Sequence, residues 1–369
     1  MSFLGCQTTF LRQFAFGCLV VFSFVLVFSA YYKPEIKWPT FGIYMEKNCS
    51  SEFHISPPHN GTQKIQAKEV EAEPDTILLV WMWPFGYQFD LSCDVYNITG
   101  CQMTADKSLY HKAHGVLLHH RDIRGDLANL PKEPRPWFQK WVWFNMESPA
   151  NTARIPQLDN LINLTCSYRL DSNIPVPYGY LIPRTTEETF QLPAKDKLVC
   201  WIVSNWHDNY KRVQYYKELK NHINISTFGN AFGQHLSDQD YTNIVSSCKF
   251  YLSFENSVYD HYITEKLYKP MTLGTVPIVL GPPRKDYEDT IPPDSFIHIE
   301  DFSTPVELAE RLLHLDETDS EYMTYFNWRK SFKAQQSDYG REHACRSCAY
   351  LQKHRGYQSF RNLKKWFWG

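Results

Sequence analysis

Three motifs that usually announce phosphate or acyl chemistry are missing from this 369-residue chain. No Gly-x-Gly-x-x-Gly follows an apolar run, so a dinucleotide fingerprint is absent. No Gly-x-x-x-x-Gly-Lys-Ser/Thr loop appears, which leaves P-loop phosphoryl transfer unsupported, and there is no Gly-x-Ser-x-Gly elbow for a serine nucleophile. An excess of basic charge is lacking too. Lys plus Arg number 38 against 40 Asp plus Glu, a net charge of −2, which excludes the clustered cation surplus a nucleic-acid partner needs. Metal-ligand patterns are sparse. Cys345-Arg-Ser-Cys348 has no second pair to complete a zinc ribbon, so it reads as disulfide cysteine. His119 and His120 are adjacent, and neighbours on a strand point to opposite faces. Asp238-Gln-Asp240 reads as a polar loop without a preceding strand, a weak metal signal.

Long uncharged apolar runs are also scarce, and one stands out at 14–32. Its length suits a membrane-spanning helix of about 20 residues. A cut after Ala30 would leave bulky Phe28 three residues upstream, a poor cleavage site, so the run reads as an uncleaved anchor. Arg12 on one side and Lys33 and Lys37 on the other leave its orientation open. The sequons decide it. Asn48, Asn60, Asn97, Asn163 and Asn224 all open Asn-x-Ser/Thr, and all follow the anchor. Of ten cysteines, Cys6 and Cys18 lie in or before the anchor, leaving an even eight for an oxidising lumen. The expectation is a type II membrane protein with a cytosolic tail at 1–13. Residues 33–74 hold five prolines and no apolar period, which describes a stem.

Beyond the stem, short apolar runs predict strands at 76–83, 115–118, 141–144, 198–203, 250–254 and 276–280. Helical stretches at 210–221 and 305–315, the latter opened by Ser303 or Thr304, complete an α/β pattern with parallel sheets. Ligands in such folds sit beyond the carboxyl ends of the strands. Polar residues crowd there: His119-His-Arg-Asp122, Asn145-Met-Glu-Ser148, Ser204-Asn205 and Glu255-Asn-Ser257. Four such edges together predict a ligand cleft. A linker near 183–197 divides two halves of similar size, as in two Rossmann-like domains facing that cleft.

Two groups carry candidate chemistry. Thr264 is placed to cap a helix whose first turn holds Glu265 and Lys266. Backbone N–H groups and an ammonium there suit a diphosphate, with Pro270 expected to shorten or kink the helix. Glu147 stands alone after an apolar strand, where desolvation raises a carboxylate pKa into the range of a general base. A surface Glu–Lys pair and a capping glutamate are the bland readings of the same residues.

From about Thr76 to Gly369 the chain resembles the Golgi α-1,3-fucosyltransferases. The resemblance lies in Trp81-Met-Trp-Pro-Phe-Gly86, His119-His-Arg-Asp-Ile123, Asn145-Met-Glu-Ser-Pro149, Val199-Cys-Trp-Ile-Val-Ser-Asn-Trp206, Phe250-Tyr-Leu-Ser-Phe-Glu-Asn-Ser257, Tyr262-Ile-Thr-Glu-Lys-Leu-Tyr268 and the ending Leu363-Lys-Lys-Trp-Phe-Trp368. It implies a GT-B fold, with an acceptor domain at 75–190 and a GDP-fucose domain at 191–369 whose C-terminal segment returns to the first. It also implies an inverting transfer from GDP-fucose without a required metal or cofactor. The acceptors would be N-acetyllactosamine glycans of glycoproteins and glycolipids, met at the Golgi membrane.

Carried over by motif, Glu147 becomes the base. Arg212, Asn256, Tyr262, Glu265 and Lys266 become donor-site residues, with Ser204, Asn205, Tyr251 and Glu255 beside them. Tyr87, His119, His120, Arg121 and Asp122 fall on the acceptor side, and Arg121 in that position goes with type 2 chains and Lewis x. Tyr87, Leu170, Asn173 and Pro175 depart from the family's usual residues. The family's disulfides fall on Cys93, Cys101, Cys345 and Cys348, and on the pair Cys200 and Cys248. Cys166 has no assigned partner, and Cys49 is a candidate to link two chains as a homodimer. Two other readings stand beside this one: an inactive lumenal glycan-binding or scaffold protein, against which intact Glu147, Arg212 and Lys266 speak, and a fucosyltransferase of another acceptor class.

Overall fold

Strands that are apolar on both faces cannot lie at a surface, so they assemble into sheets covered on each side. A computed structural model of the protein describes residues 76–185 and 190–369. The tail, anchor and stem, with Asn48, Asn60 and Cys49, lie outside the described residues. Among the described residues, no helix is long and apolar enough to cross a membrane.

The first sheet is parallel, in the order β2-β1-β3-β4-β5-β6, from β1 (Thr76–Val80), β2 (Cys101–Thr104), β3 (Gly115–His119), β4 (Lys140–Asn145), β5 (Leu164–Ser167) and β6 (Ile174–Pro175). The expected strand 76–83 ends early, at Val80. Trp81 to Trp83 leave the sheet for a turn opened by Pro84, in which Phe85 (φ 52°) and Gly86 (φ 78°) take left-handed backbone. Among the described residues, no α-helix links these strands; 3-10 turns do. That departs from the helical connections expected of a Rossmann-like half. The missing cover comes from the far end of the chain.

After β7 (Gly179–Pro183), a second parallel sheet runs β12-β11-β10-β8-β9, from β8 (Lys197–Ile202), β9 (Ile225–Phe228), β10 (Cys248–Phe254), β11 (Val276–Leu280) and β12 (Ile297–His298). Its helices are α1 (Lys211–Leu219), α2 (Asp238–Ser247), α3 (Glu265–Leu273) and α4 (Pro305–Glu317), the last capped by Thr304. Alternation along β10 assigns the faces. Phe250, Leu252 and Phe254 pack in the core with α1 and α4, whereas Tyr251 joins Cys200, Cys248 and Val245 of α2 on the other side. The expected loop at Asp238-Gln-Asp240 is instead the first turn of α2. There the Asp240 carboxylate and Ser237 form a capping box, which occupies Asp240.

The chain then crosses back. β13 (Phe332–Gln336) pairs antiparallel with β7, and α5 (Arg341–Lys353) and α6 (Leu363–Trp368) bury Ala344, Cys345, Cys348, Leu351, Leu363 and Phe367 in the first sheet's core. Cys93–Cys345 and Cys101–Cys348 bind α5 to the first sheet, and Cys200–Cys248 joins β8 to the start of β10. Cys166 is free and buried, its thiol pushed up to about 12 by burial.

One expected sequon is corrected. Asn163 is 8% exposed. Its Oδ1 accepts from the Trp141 N–H at 2.8 Å and from Arg135 at 2.7 Å, and its Nδ2 donates to the Gln358 carbonyl at 2.8 Å. An amide wedged there has no room for a glycan. Asn97 and Asn224 are exposed.

Candidate active site between the two sheets

β3 and β4 end side by side, and this edge carries the first half of the site. The Asn145 side chain, fully buried at the end of β4, pins the next turn. Its Oδ1 accepts from the Glu147 N–H at 3.4 Å and its Nδ2 donates to the Glu147 carbonyl at 3.1 Å. The Glu147 backbone is thereby fixed while its carboxylate makes no hydrogen bond or ion pair among the described residues. Burial raises its pKa above the ordinary carboxylate range. Arg121 and Lys266 oppose that shift, and Glu265 adds to it. Those charges come from both sheets, so both halves converge on Glu147. The Ser257 Oγ donates to the Ser148 Oγ at 2.7 Å, joining the turns after β10 and β4 directly.

The second half is built on α3. Thr264 caps it, accepting from the Lys266 N–H, and the buried Glu255 carboxylate accepts from the Thr264 N–H at 2.8 Å and its hydroxyl at 2.9 Å. Lys266 Nζ lies 3.2 Å from both Glu255 and Glu265. Burial alone would lower its pKa, but the two carboxylates raise it, so it stays charged. Pro270 does not end this helix, which runs on to Leu273. The Lys266 carbonyl, which a proline four residues on cannot serve, accepts from the Ser253 hydroxyl at 2.6 Å instead.

Arg212, in the first turn of α1, is 4% exposed. Among the described residues its guanidinium donates only to the main-chain carbonyls of Asn205 and Phe254, its Nε has no partner, and no carboxylate lies within ion-pair distance. A buried cation short of an acceptor beside the Lys266 helix start suits a bound anion. Ser204, Asn205 and Asn256 lie around it at or near the surface. Tyr262 packs on Tyr168 and Tyr178 of the first half, near enough to Glu255, Glu147 and Glu265 for their charges to add to the upward pull of burial on its phenol.

Arg212, Glu255, Tyr262 and His119 are buried, and two further expected residues, Tyr251 and His120, are buried as well. Tyr251 is 2% exposed, on the sheet face covered by α2, its hydroxyl directed to the Ile202 carbonyl. His120 is 2% exposed, with its Nε2 on the Ala153 carbonyl at 2.8 Å and its Nδ1 accepting from Trp143 at 2.9 Å. Burial among Trp143 and Trp368 brings its pKa down to about 4. On the acceptor side, His119 is buried beneath Asp122. Arg121 is exposed and donates to the Asn151 carbonyl at 2.8 Å, and Tyr87 is open to solvent.

Sequence reasoning missed Tyr339, whose hydroxyl meets His119 Nε2, and the tyrosines Tyr168 and Tyr178 under Tyr262. No local pattern marks them, since each is brought in by a distant segment. Among the described residues, no group of three or more His, Cys, Asp or Glu is placed to hold a metal.

Comparison with known families follows the two halves. The profile described as "Fucosyltransferase, N-terminal" matches residues 73–179, and that of "Glycosyltransferase family 10 (fucosyltransferase) C-term" matches residues 192–366. The chain belongs to glycosyltransferase family 10. Within this fucosyltransferase family it is 46% identical to the 4-galactosyl-N-acetylglucosaminide 3-alpha-L-fucosyltransferase 9 of Rattus norvegicus, over 97% of this chain and 98% of the relative. It is 45% identical, with the same coverage, to the Homo sapiens protein of that name. A second Homo sapiens relative, 4-galactosyl-N-acetylglucosaminide 3-alpha-L-fucosyltransferase FUT5, is 40% identical over 84% of each chain. Among solved structures, an alpha1,3-fucosyltransferase with GDP-fucose matches with a TM-score of 0.52 at 16% identity, covering 80% of this chain and 93% of that one, a likeness of fold.

Proposed function

We propose that this chain transfers L-fucose from GDP-β-L-fucose to the 3-hydroxyl of N-acetylglucosamine in type 2 N-acetyllactosamine, Galβ1-4GlcNAc, to form Lewis x. The observation that carries the reading is the unpaired, half-buried Glu147 carboxylate facing a second half in which Lys266 and the partner-poor Arg212 offer cations. Family membership and near full-length similarity to the named 3-alpha-L-fucosyltransferases support it.

In the reaction, Glu147 takes the proton of the acceptor 3-hydroxyl. The oxygen forms a bond to fucose C1 from the face opposite the diphosphate. The C1–O bond to the phosphate breaks, and its electron pair leaves with GDP, so the β-linked donor gives an α-linked product. The leaving group needs positive charge rather than a general acid. Arg212 and Lys266 supply that charge. Glu265 and Asn256 meet donor hydroxyls. Glu255 acts from beneath, holding Thr264 and Lys266 in place. Arg121, on the acceptor side, favours type 2 chains.

On this reading the two sheets are the halves of a GT-B enzyme, with the acceptor at 75–190 and the donor at 191–369. The site works without a metal, and the chain is a type II Golgi membrane protein anchored by 14–32. The test incubates the full-length protein with GDP-fucose and type 1 and type 2 oligosaccharides, with and without EDTA. Transfer to type 2 chains that survives EDTA is expected. Donor binding without transfer to any oligosaccharide would sink the reading in favour of a glycan-binding protein of the same fold.

A further inference from the structure

A cavity of about 420 Å³ opens at the opposite end of the first sheet, between His114, Trp137, Phe138, Lys140, Leu351 and Arg355. His114 precedes β3 and Lys140 opens β4, so this is the amino edge of the strands. The five steps from Lys140 to Asn145 along β4 put it roughly 17 Å from the edge that carries Glu147.

Its polarity is one-sided. Lys140 is 4% exposed, and its ammonium bonds the His354 carbonyl with no carboxylate of the described residues in ion-pair range. Burial, with Arg355 nearby, holds its pKa below the ordinary lysine value. Arg355 is exposed and, among the described residues, likewise unpaired. His114 Nδ1 accepts from the Ile77 N–H at 3.0 Å, which leaves its Nε2 as a donor. No acidic residue lines the cavity. A buried ammonium with only a neutral acceptor is costly, and an anion in the cavity relieves it. Beside these cations stands an aromatic wall. Trp137 is 86% exposed and meets Phe138 edge to face at 5.8 Å, and Tyr357, 83% exposed, lines the adjoining recess with Arg355. Solvent-facing indole and phenol rings of this kind offer flat apolar faces to the C–H face of a sugar ring.

We propose that this cavity is a second binding site, for a sugar residue bearing a carboxylate or sulfate. The anion meets Lys140 and Arg355, and the ring lies against Trp137. The volume falls within the range of small-ligand pockets, and its concave form suits a sugar better than a bilayer surface. The inference rests on the proposed function only in naming a saccharide as the anion's carrier.

The test uses the full-length protein in detergent micelles carrying Glu147→Gln, titrated by calorimetry with sialylated, sulfated and neutral lactosamine. Tighter binding of either anionic sugar is expected. That advantage should fall at least tenfold in Trp137→Ala and in Arg355→Glu, both at exposed positions, with neutral lactosamine unaffected. Equal binding of all three sugars, or an anionic advantage that survives both substitutions, overturns the site. So does binding to phosphatidylserine vesicles that Trp137→Ala abolishes while leaving the sugars unaffected. Separately, the Trp137→Ala change in an otherwise native chain leaves fucose transfer to neutral lactosamine intact. Absent transfer in the native chain alongside Trp137-dependent sugar binding would refute the proposed function and leave this site standing.

Discussion

The Tyr339 hydroxyl lies 3.0 Å from His119 Nε2, while His119 Nδ1 lies 2.6 Å from Asp122 Oδ2. Asp122 also accepts from the Phe85 N–H at 2.9 Å. Three distant segments therefore meet at one imidazole. With Asp122 holding the proton on Nδ1, Nε2 accepts from the phenol. Burial lowers the pKa of His119 and keeps it neutral, although Asp122 pulls the other way. Tyr339→Phe removes one hydrogen bond, worth about 1 kcal/mol. The acceptor KM should rise roughly fivefold at saturating GDP-fucose, with donor affinity unchanged. An unaltered acceptor KM would remove Tyr339 from the acceptor side.

Glu147 has a pKa raised by burial, so the acid limb of the rate profile should lie above the usual carboxylate range of about 4.3. Only the ionised form takes the acceptor proton, and the rate falls as pH drops through that raised value. The stability effect runs the other way. A raised folded pKa contributes stability below the unfolded value, and that contribution is lost as pH rises through the folded pKa. At neutral pH the ionised group is a burden to the fold. Glu147→Gln should therefore melt no lower than the native protein while losing about 100-fold or more in kcat. Loss of both activity and melting temperature would mark a structural role.

Asn97→Gln and Asn224→Gln should each remove one glycan, seen as a glycosidase-sensitive mobility shift, with little change in melting. Asn163→Gln should show no such shift and should destabilise by about 1–3 kcal/mol, because the Trp141 N–H and Arg135 lose a buried acceptor. A glycan found on Asn163 would contradict the packing of Gln358 over it.

The two disulfides to α5 span 252 and 247 residues of sequence, and Cys200–Cys248 spans 48. With either long bridge intact the other closes only a short further loop, so chain entropy makes the long pair together, not each bridge singly, worth at least about 1.5 kcal/mol more than the short one. Melting of the chain with Cys93, Cys101, Cys345 and Cys348 all changed to Ser should accordingly fall further than that of Cys200→Ser/Cys248→Ser. The reverse order would mean that the bridges act mainly through native-state packing.

Much of this protein was legible in its sequence. Runs such as 115–118 and 276–280 are apolar at every position, a pattern that a doubly covered strand satisfies, and the ends of the runs 141–144 and 250–254 marked Glu147 and Asn256 because polar residues must begin where burial stops. Thr264 before Glu265 and Lys266 announced a capped helix, since capping depends on three or four consecutive residues. Hydrogen bonding at a distance was not legible. Nothing near Pro270 says that Ser253 will serve the stranded Lys266 carbonyl. Nothing near Asn163 says that Gln358 will close over its amide, and nothing near His120 says that Trp143 and Trp368 will enclose it. Local sequence thus determined the strands, the cap and the residue types at the strand ends, because those depend on neighbours in the chain. Tertiary structure alone decided which carboxylate stays unpaired, which histidine is buried and which helix covers the first sheet. Each of those outcomes depends on groups from separate segments of the chain competing for the same partners and the same space.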